Sequence, residues 1–187
     1  MSHPAHAHAS TRVTLRLPGP SDEAAFVELR RASRAHLEPW EPAPPDGHDP
    51  WGPAEFARYL DALRATQRKR WLVWRREDDA LLGACSVTGI QRGVLQSAAL
   101  DYWIGAPFAR QGYMSEALAL LLHEAFGPLE LHRVEALVLP TNEPSRRLLA
   151  RLGFRYEGVS MSLVHVRGAW RDHERWALTR EEWDLLS

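Results

Sequence analysis

The sequence predicts a single domain of α/β (α+β) class, on three observations. Strand-like runs and helix-like stretches follow one another along the whole chain, with no internal repeat or low-complexity segment to mark a second unit. The 187 residues are 45% hydrophobic and 25% charged, a composition that folds, and a chain of this length buries roughly 70% of its extended surface. Cys85 is the only cysteine, which removes disulfide scaffolding, and no apolar run approaches the ~20 residues of a membrane span. A reducing, cytoplasmic setting is the expectation.

The opening MSHPAHAHAS carries His3, His6 and His8 at a spacing that matches no zinc pattern. Residues 1–10 are therefore expected to be a disordered tail, residues 11–187 a single domain, and no metal site is expected. TRVTLRL (11–17) alternates like a half-buried strand. Pro18, Gly19 and Pro20 end it, and Ser21 leads into a helix over 24–34 with an acidic first turn. The proline-studded segment 36–53, HLEPWEPAPPDGHDPWGP, excludes regular helix or central strand. With Trp40 and Trp51 it reads either as a lid over a site or as a connector packing its tryptophans on the core. A helix is expected over 54–66, then a hairpin of WLVWRRE and ALLGACSVTGI around Asp78-Asp79.

SAALDYWIG (97–105) is the next strand, broken at Ala106-Pro107. Met114, Leu118, Leu121, Leu122 and Ala125 recur at helical spacing until Gly127-Pro128. HRVEALVL (132–139) is a strand, and residues 142–152 form a short helix closed by Gly153. The last stretch reads as two antiparallel strands around Arg167-Gly168, followed by a short terminal helix.

Charge restricts the partners. Lys and Arg total 23 against 24 acidic residues, a net charge of -1, so a broad polyanion-binding surface is not expected, nor direct nucleic-acid binding. Lys69 is the only lysine, which leaves 22 arginines. Codon usage explains most of them, and Arg30 and Arg64 stand as bland comparators. Position decides the rest, because the guanidinium fork suits phosphate.

Two junctions hold the chemistry. In YWIGAPFARQGYMSEA (102–117) a strand ends, a loop of small and polar residues follows, and a helix starts near Gly112. Such a start presents unpaired N–H groups and the positive end of the helix dipole to an anion. Gly112 permits close approach and Arg110 adds charge, while the absence of Gly-Lys-Ser/Thr excludes a Walker loop. In PTNEPSRRLLARLGF (140–154), Asn142 is placed as an N-cap at a second strand-to-helix junction. Two such junctions opening on one sheet edge are able to grip one elongated, phosphate-bearing ligand.

These residues resemble the GNAT superfamily of acetyl-CoA-dependent N-acetyltransferases. Its pyrophosphate motif falls on Ala109, Arg110, Gln111, Gly112, Tyr113 and Met114; Gly112 matches, whereas Ala109 and Met114 depart from the pattern. The second motif is intact as Asn142, Ser145, Gly153 and Phe154, followed by Glu157-Gly158. HLEPWEP, Trp103-Ile104-Gly105, Gly112 to Ala117, LLARLGF and Trp170-Arg171-Asp172-His173 are similar to the RimJ/RimL branch of ribosomal-protein alanine and serine N-acetyltransferases.

The resemblance implies a mixed, mostly antiparallel seven-stranded sheet splayed between strands 4 and 5, flanked by about four helices. Acetyl-CoA would be the co-substrate. Trp103 and Ile104 would offer main-chain hydrogen bonds to its pantetheine and thioester, residues 110–114 would wrap the pyrophosphate, and Asn142 would hold the pantetheine. Arg146 and Arg147 are candidates for its phosphates. The amine attacks the thioester directly in a ternary complex, so Cys85 reads as a core thiol. The tyrosine that many members use as acid is replaced by Leu149, and Ser145 takes that role by analogy. The glutamate base of RimL-type enzymes falls on Val164, with His165 expected on the other side of the strand. Asp101, Glu41 and water stay open as bases.

Trp40 and Glu41, on the lid, would meet the amine of a protein N-terminus. A small-amine acceptor, a catalytically idle acyl-CoA-binding module and an arginine-based RNA-binding domain are the competing readings. The oligomeric state, monomer or homodimer, is open.

Overall fold

A computed structural model describes residues 12–42, 44 and 47–186; the expected tail at 1–10 lies outside the described residues. Seven strands form one sheet: β1 (Val13–Arg16), β2 (Arg68–Arg75), β3 (Leu81–Gln91), β4 (Ser97–Ile104), β5 (Arg133–Val138), β6 (Arg155–Val166) and β7 (Ala169–Thr179). Their order across the sheet is β1-β2-β3-β4-β5-β7-β6. Every neighbouring pair is antiparallel except β4 and β5.

That parallel pair shapes the molecule. Only Ser97↔Arg133, Ala98↔Val134 and Ala99↔Glu135 are in register. Beyond Ala99, β4 continues to Ile104 and β5 to Val138 without pairing to each other. The sheet is thus splayed between its fourth and fifth strands, and the backbone groups lining the gap are left to other partners.

The described helices are α1 (Glu23–Ala32), α2 (Arg34–Leu37), α3 (Pro53–Asp61), α4 (Tyr113–Phe126), α5 (Glu143–Arg151) and α6 (Arg180–Asp184). α4 covers one face of the sheet, burying Met114, Ala117, Leu118, Leu121, Leu122 and Ala125 at i, i+3 and i+4 spacing. Each of its fully buried leucines contributes about 1.5–3 kcal/mol. α1 and α3 cover the other face, where Phe26 packs on Phe56 at a ring separation of 4.9 Å and edge-on to Trp103 at 5.6 Å. Strand β3 runs between these layers, which is why its residues from Leu81 to Val87 are buried on both sides and its sequence barely alternates.

Boundaries differ from the sequence expectation: β2 runs over Arg68–Arg75 where the sequence predicts 71–77, and α1 over Glu23–Ala32 where it predicts 24–34. The helix expected over 54–66 ends as α-helix at Asp61 and tightens into a 3-10 turn, Ala62–Arg64. The proline-rich stretch begins inside the short helix α2, because Pro39 is the first residue that forbids continuation.

Candidate functional site

The splay opens into a cleft of about 1630 Å³ that reaches both faces of β4. Single small-molecule pockets are typically about 300–1,000 Å³, so this space accommodates two molecules at once. Strand alternation gives its two sides different chemistry. Leu100, Tyr102 and Ile104 point toward the α4 layer, while Asp101 and Trp103 point toward α1 and α3.

On the first side the chain turns through the loop that precedes α4. Arg110 and Gly112 both take left-handed backbone conformations, at φ 62° and 85°. Gly112 is the N-cap of α4, so the amides of the first turn have no intrahelical partner and converge on the cleft. A Cβ at Gly112 would sit 3.1 Å from Arg12 Nη2. Arg12 braces this loop: it donates to the Gln111 carbonyl at 3.2 Å and to Glu116 Oε1 at 2.6 Å. The Tyr113 and Met114 side chains are buried, which leaves their backbone for a ligand. Ala109, Arg110 and Gly112 line the cleft. Gln111 turns its side chain back to donate to the Pro107 carbonyl at 2.8 Å.

The second junction lies opposite. Asn142 Oδ1 accepts the Ser145 backbone N–H at 3.2 Å, the N-cap expected of it, and its amide nitrogen is free of that bond. Ser145 Oγ lies 2.6 Å from Tyr102 Oη. Burial pushes the Tyr102 phenol up to about 12, an effect that its bond to Ser145 partly offsets. At neutral pH the ring therefore keeps its proton. Arg147 and Arg151, one helical turn apart on α5, line the same side.

At the floor, Gly105 N–H donates to the Leu82 carbonyl at 2.8 Å. Period-two alternation therefore turns the Ile104 and Tyr102 amides toward the gap and keeps that of Trp103 in the β3 ladder. This corrects the expectation for Trp103: its main chain is committed to β3, and its indole serves the other side. The Ile104 amide faces the gap and is not part of the β3 ladder.

The side of the cleft that faces α1 and α3 is acidic and aromatic. Asp101 lines the cleft and is exposed within it. Burial, reinforced by Glu41, holds its carboxyl above the usual range, and Arg70 and Arg30 offset part of this. The proline-rich segment lines the cleft through Trp40, Glu41, Pro42, Pro44, His48 and Pro50, while Trp51 is buried. Glu41 is already paired: Arg30 Nη1 and Nη2 each donate to it at 2.7 Å. That occupies the carboxylate expected to meet an ammonium group. Arg30 also donates to the Pro50 carbonyl at 3.3 Å and lies over the rings of Trp51 and Trp103 at 4.7 and 5.1 Å. It clamps the proline-rich segment to α1 and is no bland comparator.

Two further expectations change. Arg146 donates to Glu174 and Glu143 at 2.9 and 2.7 Å and does not line the cleft, so it is not placed for a phosphate. His165 and Val164 both line the cleft, although they alternate in the regular β6–β7 pairing of Val164↔Arg171 and His165↔Trp170. Cys85 is 1% exposed and burial raises its thiol, as befits a core residue. Sequence reasoning missed Tyr102, Arg151 and Arg30. Only Arg151 left a signal, its i+4 spacing from Arg147.

Among the described residues no three His, Cys, Asp or Glu gather to hold a metal, and no helix is long and apolar enough to cross a membrane.

Comparison with known proteins agrees with this architecture. The family description "Acetyltransferase (GNAT) domain" matches residues 12–155. The structure of Mycobacterium smegmatis RimJ in complex with CoA-disulfide superposes with a TM-score of 0.84 at 36% identity, covering 91% of this chain and 83% of that one. The ribosomal protein uS5-alanine N-acetyltransferase of Escherichia coli (strain K12) is 28% identical over 176 residues, 92% of this chain and 90% of its own length. A Bacillus subtilis (strain 168) protein named Probable N-acetyltransferase YjcK is 36% identical over 119 residues, 64% of this chain and 66% of that protein. A sheet parted between β4 and β5, a glycine-opened α4 and this family match together place the chain in the GNAT family, as an acetyl-CoA-dependent N-acetyltransferase akin to the RimJ/RimL type.

Proposed function

We propose that this protein transfers the acetyl group of acetyl-CoA to the α-amine of a protein N-terminus, by direct attack within a ternary complex. The observation that carries this reading is the single cleft with two chemically distinct sides meeting at the splayed end of β4. The amides at the start of α4 hold the pyrophosphate, and Arg110, Arg147 and Arg151 take the phosphates. Asn142 holds the pantetheine arm. The Ile104 N–H polarises the thioester carbonyl, and Ser145 donates to the departing sulfur. Amine and thioester meet at β4, with Trp40 and Trp103 walling the amine and Asp101 taking its proton.

Magnitudes favour an α-amine. With a pKa near 8, about 10% is neutral at pH 7, against about 0.04% for a lysine side chain, a difference of roughly 3–4 kcal/mol. A carboxylate is a weak base, so the acceptor that needs less deprotonation suits this site. The likeness to ribosomal-protein alanine N-acetyltransferases supports the same choice.

The test is thiol release from acetyl-CoA, with mass spectrometry of the product. The acceptors are a peptide with a free N-terminal alanine, the same peptide N-terminally blocked and carrying one lysine, and spermidine. The free α-amine should give the highest kcat/KM. Faster transfer to spermidine or lysine refutes the acceptor assignment, and CoA binding without transfer to any amine refutes the reaction.

A further inference from the structure

Ser145 needs a free hydrogen to serve a leaving group, and its surroundings decide whether it has one. Tyr102 Oη and Ser145 Oγ are 2.6 Å apart, at the short end for an O–H···O bond. Each hydroxyl carries one hydrogen, so exactly one of them is spent between the two oxygens. Were Ser145 the donor, its hydrogen would be lost to the phenol.

Several observations favour the opposite direction. A phenol is the stronger donor of the two, and Tyr102 retains its proton at neutral pH. The helix cap does not use the Ser145 hydroxyl, because Asn142 accepts the Ser145 backbone N–H. Tyr102 stands on the part of β4 that has left β5, and Ser145 in the first turn of α5; both line the cleft. An oxygen that accepts from Tyr102 turns its own hydrogen away from the ring, and accepting a bond makes it a better donor.

We propose that Tyr102 is a positioning residue that donates to Ser145 Oγ and so aims the Ser145 hydrogen into the cleft, at the sulfur that leaves the transferred acetyl group. This rests on the acetyl-transfer reading above. In the step itself the amine nitrogen bonds to the carbonyl carbon, the C–S bond breaks, and its electron pair stays on sulfur. The Ser145 hydrogen bond stabilises that thiolate. The proton that finally completes the thiol is drawn from solvent, and it balances the one that the amine gives up through Asp101. Neither hydroxyl is consumed. Asp101 faces the opposite side of β4, so the two proton movements do not interfere.

The test compares kcat and both KM values for wild type, Tyr102→Phe, Ser145→Ala and the double variant. Tyr102→Phe should lower kcat about tenfold, the worth of one ordinary hydrogen bond, and Ser145→Ala on the order of 100-fold. The double variant should match Ser145→Ala alone, because Tyr102 acts through that hydroxyl. Ser145→Thr, which keeps the hydroxyl, should retain activity by itself and fall about tenfold when combined with Tyr102→Phe. With the acetyl selenoester of CoA, whose selenolate leaves unaided, the Tyr102→Phe loss should largely disappear. CoA binding by calorimetry confirms that each variant is folded. Unchanged kcat in Tyr102→Phe, multiplicative losses in the double variant, or an equal loss with the selenoester would each overturn the assignment. Wild type that binds CoA yet acetylates no amine overturns the parent reading instead.

Discussion

Replacing Arg30 with methionine tests how the proline-rich segment is held. The change removes two charge-assisted bonds to Glu41 at 2.7 Å and one bond to the Pro50 carbonyl at 3.3 Å, and keeps an apolar stem between Trp51 and Trp103. Breaking a buried ion pair from one side costs about 3–5 kcal/mol, because the abandoned charge is left without compensation. The Arg30 side chain is 6% exposed but that of Glu41 is 27% exposed, so the freed carboxylate reaches water and the cost falls at the lower end, about 3 kcal/mol. Loss of the cation–π contacts adds about 0.5–1 kcal/mol. For a domain of this size each kcal/mol is worth roughly 2–4 °C, so Tm should fall by roughly 7–16 °C in differential scanning calorimetry.

The kinetic consequence is directional. Arg30 ties α1 to the segment that carries Trp40, Glu41 and Pro50, all on the acceptor side. Steady-state assays should therefore show a higher acceptor KM with little change in the acetyl-CoA KM. A Tm within about 2 °C of wild type would place the pair among ion pairs of no measurable worth. Equal increases in both KM values would show that Arg30 supports the whole cleft.

Gly112→Ala places a Cβ at φ 85° and 3.1 Å from Arg12 Nη2. It should cost about 1–2 kcal/mol of stability and weaken CoA in calorimetry, with the acceptor KM unaffected. Arg151→Ala should weaken CoA binding and Arg146→Ala should not, since Arg146 is held by Glu174 and Glu143; equal effects would contradict the assignment of the phosphate side. Asp101 has its carboxyl raised by burial and by Glu41, so its charged form costs stability once pH has risen past that raised value. Below the ordinary carboxylate value of about 3.9 it is protonated folded and unfolded alike, and the cost vanishes. Asp101→Asn should accordingly raise Tm at pH 8, with the gain shrinking toward pH 4, while kcat/KM for the amine falls; a lower Tm at pH 8 would show the carboxylate to be stabilising.

Local chemistry made much of the fold readable. The alternation of 11–17, the helical spacing from Met114 to Ala125 and the breakers at Gly127-Pro128 all report short-range backbone preferences, and they correspond to β1 at Val13–Arg16, to α4 and to the end of α4 at Phe126. Asn142 is readable for the same reason, because an N-cap bonds only three residues away. Helix ends are less legible in the sequence. α3 gives way to a 3-10 turn before residue 66, and no glycine or proline marks that boundary.

The site divides along the same line. The sequence by itself determined what depends on neighbours in the chain: a glycine-opened α4, a capped α5, and the motif residues that carry the family resemblance. Tertiary structure alone decided the partnerships across long separations. It brought Tyr102 to Ser145, 43 residues away. It also turned Arg30 from a helix-face arginine into the clamp on Glu41, and withdrew Arg146 to Glu174, 28 residues distant. An arginine or tyrosine looks the same in sequence whether its partner is water, a carboxylate or a hydroxyl. Burial and the register of β4 against its neighbours make that choice, because only the folded chain removes water and sets the side to which each residue points.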